Sequence, residues 1–205
     1  MTAQTGIIVV DDDDAVRDSI RVLLESAGFA VTDYASAKAF LQAGTPAGNC
    51  LVADIRMPEM DGLELQEEIT RRGFEIPVII MTGHGDVPLA VRAMKAGAID
   101  FIEKPFDETL LLDAVARALH IGESQRNRSA EVKAAQDMLA LLTPRERHVL
   151  DQLVVGRSNK IAAYELGISP RTIEIHRAHI MDKMNARSLS DLVRISIAAG
   201  PSPKA

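Results

Sequence analysis

A chain of 205 residues with 47% hydrophobic and 25% charged residues has an ordinary globular composition, long enough for two modest domains with apolar cores. Its net charge of −6 hides an asymmetry: residues 143–205 hold ten Lys and Arg against six Asp and Glu, and the other 142 residues hold 13 against 23. No apolar stretch is long enough to cross a bilayer, "MTAQTG" lacks the parts of a signal peptide, and the single Cys50 cannot form an internal disulfide, so a reducing cytoplasm and no membrane partner are expected.

Strand-length apolar runs recur at Ile7–Val10, Val31–Tyr34, Cys50–Ala53, Val78–Met81 and Asp100–Glu103, several of them continuously apolar, as in strands covered on both faces. Helical spacing fills the gaps. "VRDSIRVLLESAG" sets Val16, Ile20, Leu23 and Leu24 on one stripe, "GLELQEEITRR" sets Leu63, Leu65 and Ile69, and "VPLAVRAMKAG" stops at Gly97. Alternation of this kind predicts an α/β fold with a five-stranded parallel sheet and helices on both faces.

After "DETLLLDAVARALHIG", residues 123–142 are polar with no strong apolar stripe and read as a helical linker between a first domain at 1–122 and a second at 143–205. The second is all helical. Thr143, Pro144 and Glu146 make a capping box, "SNKIAAYELG" ends at Gly167, "SPRTIEIHRAHIMDKM" starts from Ser169, and "SLSDLVRISIAAG" starts from Ser188.

In an open parallel sheet, ligands bind beyond the carboxyl ends of the strands. The residues there are Asp11 and Asp12 after the first strand, Asp54 after the third, Thr82 after the fourth and Lys104 with Pro105 after the fifth. Three carboxylates without nitrogen or sulfur ligands suit a hard divalent ion, Mg²⁺ or Mn²⁺. An aspartate can attack phosphorus, and a lysine beside the metal can neutralise the transferring group. Asp13 and Asp14 suit the positive end of the next helix. A run of aspartates after a strand is also the form of a plain solvated helix start, which Asp54, Thr82 and Lys104 at the same sheet edge argue against.

"VVDD", "VADIRMPEMDG", "IIMTGHGD" and "DFIEKPF" together resemble the receiver domain of bacterial two-component response regulators, a flavodoxin- and CheY-like fold, over about residues 5–122. The resemblance implies that Asp54 accepts phosphate and that Asp11, Asp12 and Asp54 hold Mg²⁺ with the Arg56 backbone carbonyl. It implies that Thr82 and Lys104 contact the phosphoryl group, that Lys104–Pro105 is cis, and that Phe101 is the aromatic switch, besides its alternative role as a core aromatic. Catalysis is then confined to Mg²⁺-dependent self-phosphorylation from a phosphodonor and slow self-dephosphorylation. His84, between two glycines beside Thr82, reads as a solvent-facing loop residue.

In the basic part, a short helix, a turn at Gly167 and a capped longer helix follow the grammar of a helix-turn-helix. Ile173, Ile180 and Met184 give the longer helix an inward face, and Arg171, Glu174, Ile175, Ala178 and Asp182 form another stripe able to approach base edges. Ser158, Asn159, Lys160, Thr172, His176, Arg177, His179 and Lys183 are candidates for phosphate contacts. Residues 143–200 resemble the LuxR-type DNA-binding domain, and the domain order is that of the NarL/FixJ group, with "TGHGDVPLAVRAMKAGAIDFIEKPF" most similar to its FixJ branch. That resemblance implies a FixL-type haem oxygen-sensing histidine kinase, promoter DNA and RNA polymerase as partners, a homodimer when phosphorylated, and activation of nitrogen-fixation genes. Glu174 and Ala178 stand where other members often carry lysine, so their operators do not transfer. The rival readings are a regulator of a different regulon, a regulator indifferent to phosphorylation, and a Mg²⁺-dependent phosphohydrolase. The last would need an acid two residues past Asp54, where Arg56 stands.

Overall fold

The computed structural model describes residues 5–44, 47–83 and 87–200. His84 lies outside them. Five strands, β1 (Gly6–Val10), β2 (Ala30–Tyr34), β3 (Cys50–Asp54), β4 (Val78–Thr82) and β5 (Asp100–Glu103), form one parallel sheet in the order β2-β1-β3-β4-β5. Between them run α1 (Asp14–Ser26), α2 (Ala37–Gln42), α3 (Gly62–Arg71) and α4 (Val87–Lys95), and α5 (Glu108–Ala140) follows β5. The expected α/β sheet is present. Quoted helical segments followed every strand but the second; α2 is six residues long, under two turns, and its start is set by the Ser36 side chain accepting from the Ala39 N–H at 3.1 Å.

Alternate side chains on each strand face opposite sides of the sheet. Ile8, Val10, Leu51, Ala53 and Ile80 pack with Phe40 of α2, Leu65 and Ile69 of α3 and Ala93 of α4. Ile7, Val9, Val52, Ile79, Met81 and Ile102 pack with Ile20 and Leu24 of α1 and Leu111 and Val115 of α5. Each large aliphatic side chain so buried contributes about 1.5–3 kcal/mol before chain entropy is counted. β1 lies between β2 and β3; the chain leaves it toward β2 and returns on its other side to β3, so the strand order reverses between β1 and β3. A crevice opens at their carboxyl ends.

The chain divides into two compact units, residues 1–126 and 127–205. The division falls inside α5, which is helical for 33 residues, so the segment read as a linker is helical as far as Ala140. Its second half also belongs to a core: Ala135, Leu139 and Leu142 pack with the second unit's helices. Those are α6 (Pro144–Val154), α7 (Asn159–Leu166), α8 (Pro170–Lys183) and α9 (Leu189–Ala198), around buried Val149, Leu150, Ala162, Ile173, Ile180, Met184 and Leu192. Both bonds of the Thr143–Glu146 capping box form. Gly167 ends α7 with φ +65°, a left-handed conformation that costs a residue with a Cβ. Among the described residues no helix is long and apolar enough to cross a membrane.

Candidate functional site

The parallel register sets Asp54 opposite Met81 and Thr82 opposite Glu103, so Asp54, Thr82 and Lys104 end three neighbouring strands at one edge. Asp11 follows β1 there, its N–H donating to the Tyr34 carbonyl at 3.2 Å. Lys104 bridges the two acids: Nζ donates to Asp11 Oδ2 at 2.6 Å and to Asp54 Oδ1 at 2.5 Å. Asp11 is 1% exposed, Asp54 6% and Thr82 0%. Two buried carboxylates thus share one ammonium, and the two charges differ in how they respond. Burial raises the Asp54 pKa above the ordinary aspartate value, with the Lys104 hydrogen bond opposing it and the Asp11 charge adding to it. Burial by itself would lower the Lys104 pKa, but the hydrogen bonds and charges of Asp11 and Asp54 outweigh it, so the pKa rises and the amine stays charged. The remaining carboxylate oxygens are held by backbone. Asp54 Oδ2 accepts from the Arg56 N–H at 2.6 Å, and Asp11 Oδ1 from the Asp13 N–H at 3.0 Å. The Lys104–Pro105 peptide bond is cis.

Asp12 departs from the expected convergence of three carboxylates. It is exposed, and among the described residues no three His, Cys, Asp or Glu side chains gather as a metal cluster. The physical reason is repulsion: one ammonium is already shared by two buried carboxylates, and a third acid stays in water. Asp11 and Asp54 still offer oxygen donors alone, close enough to meet on one cation, which fits a hard divalent ion in chemistry. Asp13 and Asp14 take their helix-start places: Asp13 caps α1, its Oδ1 accepting from Ala15 at 2.8 Å and Val16 at 3.3 Å, and Asp14 is the first helical residue. Gly62, the first residue of α3, lies hard against Asp54; a Cβ there would sit 2.3 Å from the Asp54 carbonyl oxygen. Phe101 is half-buried and packs against the core on the α2–α4 side. The sequence reading passed over Arg17. Its Nη1 donates to the Asp11 carbonyl at 2.7 Å, Nε donates to Asp33 Oδ2 at 3.1 Å, and Nη2 pairs with Asp14. Four adjacent acids one helical turn before an arginine were the available signal.

On α8, Arg171, Glu174, Ile175, Ala178 and Asp182 are all exposed, on the side opposite buried Ile173 and Ile180. Lys160 and His179 are exposed; Asn159, Thr172, His176, Arg177 and Lys183 are half-buried. Four of the phosphate candidates have other engagements. Ser158 Oγ caps α7 and accepts from the Ile161 N–H at 3.4 Å, and Thr172 Oγ1 meets Ser169 Oγ at 2.8 Å. Lys183 Nζ donates to Glu146 Oε2 at 2.7 Å, with His179 Nδ1 3.9 Å from the other oxygen. The Lys183 hydrogen bond and the Thr143 backbone N–H hold the Glu146 pKa down at about 2. Lys160 and Arg177 instead line a groove of about 600 Å³ with Ser158, Asn159, Glu174 and Arg157, a cation the sequence reading did not select although it directly precedes the α7 cap.

Residues 7–116 match the response regulator receiver domain, and residues 140–196 match the bacterial regulatory proteins of the luxR family. The transcriptional regulatory protein FixJ of Azorhizobium caulinodans is 53% identical over 204 residues, covering 99% of this chain and 97% of that protein. Nodulation protein W of Bradyrhizobium diazoefficiens is 43% identical over 195 residues, covering 95% of this chain and 86% of that protein. The solved structure of the response regulator StyR superposes with a TM-score of 0.85 at 45% identity, covering 94% of this chain and 98% of that one.

Proposed function

Since the chain belongs to the FixJ-like two-component response regulators, phosphorylation-regulated proteins that join a receiver domain to a LuxR-type DNA-binding domain, we propose that Asp54 is its phosphoacceptor and that residues of α7 and α8 read a promoter. The observation that carries this is the Asp11–Lys104–Asp54 bridge beside buried Thr82 at the crevice where strand order reverses.

A carboxylate oxygen of Asp54 attacks phosphorus, the donor's bond to phosphorus breaks, and an acyl phosphate remains on Asp54. Lys104 stays charged and follows the phosphoryl oxygens, a short move since its Nζ already touches Asp54. Asp11, Asp12, Asp54 and the Arg56 carbonyl would hold Mg²⁺, which when bound screens the negative charge of the incoming phosphoryl group. Thr82 turns its hydroxyl toward the new oxygens, and Phe101 follows into the space vacated. The surface of α4 and β5, about residues 87–103, changes with them, which supports a phosphorylation-dependent homodimer. Coupling of this kind is commonly worth about 1–3 kcal/mol, so unphosphorylated protein retains some activity.

The receiver domain implies a sensor histidine kinase, and the LuxR-type domain implies DNA. The finer reading is a FixL-type kinase, RNA polymerase at the promoter, nitrogen-fixation genes as targets and a cytoplasmic location, supported by 53% identity to a FixJ. A different regulon is the second reading, supported by the 43% identity to nodulation protein W. Within the DNA-binding unit, Arg171, Glu174, Ile175 and Ala178 meet bases, while Lys160, Arg177 and Asn159 meet phosphates with Thr172, His176, His179 and Lys183 at the margin. Acetyl phosphate with Mg²⁺ tests the whole. Wild type should gain phosphate on Asp54, dimerise and bind promoter more tightly, and Asp54→Asn should do none of these. Equal DNA binding by both proteins under every condition would refute the switch.

A further inference from the structure

Lys104 pairs with Asp11 and Asp54, but the aspartate run holds three further acids and Asp33 lies close by. The cation among these is Arg17 on α1, whose side chain is 11% exposed. It spreads over three acceptors in three directions: the Asp11 carbonyl at 2.7 Å, Asp33 Oδ2 at 3.1 Å, and Asp14. Asp33 is fixed from its other oxygen by Arg21. The peptide linking Asp11 to Asp12 is planar, so gripping the Asp11 carbonyl also sets the Asp12 N–H and the position of the Asp12 Cα from which its side chain leaves. The Asp11 N–H is already tied to the Tyr34 carbonyl at 3.2 Å, so the residue is fixed from both sides.

We infer that Arg17 is a positioning residue for phosphoryl transfer, acting through the Asp11–Asp12 peptide to place the solvent-side carboxylate toward the divalent cation. The inference rests on the function proposed above. A guanidinium suits the task because its rigid fork reaches several acceptors at once, whereas an ammonium supplies the charge without the span. Charge alone would act in the opposite sense. Deleting a cation beside these carboxylates makes the loop more negative and tightens a divalent ion, so the direction of the change separates placement from charge.

The test is a calorimetric titration of Mg²⁺ into the unphosphorylated full chain, comparing wild type with Arg17→Gln, Arg17→Lys and Arg21→Gln. Affinity should fall about tenfold in both Arg17 variants, the scale of loss when a group orienting a metal ligand is removed. Arg21→Gln, which does not touch the Asp11 carbonyl, should stay near wild type. In the Mg²⁺-free protein the Asp12 and Asp13 amide resonances should move in the Arg17 variants. With acetyl phosphate, half-maximal Mg²⁺ should rise by the same factor while the rate at saturating Mg²⁺ holds within about twofold. Unchanged or tighter Mg²⁺ binding by Arg17→Lys, or an equal loss in Arg21→Gln, overturns the inference. Should Arg17→Gln fail to fold, Arg17→Lys decides, since it keeps the charge and most of the stem. A wild type that binds Mg²⁺ but takes no phosphate on Asp54 would sink the proposed function instead, and the Mg²⁺ comparison would still decide the role of Arg17.

Discussion

Lys104→Met and Asp54→Asn perturb one cluster and should move stability in opposite directions. In the native site two carboxylates, 1% and 6% exposed, share one ammonium. Removing Lys104 leaves both acids buried without a counter-charge, and breaking a buried pair by deleting one partner costs about 3–5 kcal/mol. The Lys104 side chain is 19% exposed, so water reaches the site and the low end, about 3 kcal/mol, is expected. Asparagine at 54 keeps one acceptor oxygen, enough for Lys104 while the bond from the Arg56 N–H is given up, and leaves Asp11 and Lys104 as a balanced pair. Because the folded Asp54 pKa is raised, its ionised form opposes folding at neutral pH, and that penalty fades as pH falls through the folded pKa. Asp54→Asn should therefore be more stable than wild type at pH 7. Calorimetry of the full chain should show the receiver transition lowered by roughly 10 °C in Lys104→Met and raised by a few degrees in Asp54→Asn. The Lys104→Met deficit should shrink as pH falls, because a buried carboxylate without a counter-charge takes up a proton more readily. Destabilisation by both substitutions would refute the reasoning, because the cluster would then be an ordinary salt bridge.

Three further outcomes concern the DNA-binding unit. The Glu146 pKa is held at about 2, so its contribution is complete above the unfolded value near 4.5 and is lost as pH falls toward 2. Glu146→Gln should cost about 1–2 kcal/mol at pH 7, since Lys183 is 34% exposed and screening weakens the pair, and the gap in thermal stability should narrow by more than half at pH 3. Lys160→Ala should reduce the slope of log affinity for promoter DNA against log salt by about 1. Lys183→Ala should lower the thermal stability of the unit and change that slope less, because Lys183 is engaged with Glu146.

What the sequence disclosed tracks the range of the forces involved. The strands were legible because β-branched runs announce burial on both faces, and the caps at Thr143, Ser169 and Ser188 because capping is decided within three residues. The edge placement of Asp11, Asp54, Thr82 and Lys104 followed from strand ends plus one topological rule. What stayed illegible were side-chain choices among competing partners. Lys183 lies along α8 among plausible phosphate ligands, yet Glu146, 37 positions earlier, claims it. Asp12 sits beside Asp11 in sequence, but charge balance decides which of the two goes inside. Arg17 needed Asp33 from another strand before its role was visible. The segment after residue 123 has no strong stripe because its apolar contribution to the second core comes late, from Ala135, Leu139 and Leu142.

Gly62 gives the acidic pocket an unexpected hierarchy of tolerance. Its acids can be exchanged for amides of the same outline, with chemistry lost and the fold kept. A single methyl at position 62 would press on the Asp54 carbonyl at 2.3 Å, displacing the acceptor strand or the start of α3. The side chain proposed to take the phosphoryl group is thus replaceable, while the hydrogen atom beside it is not.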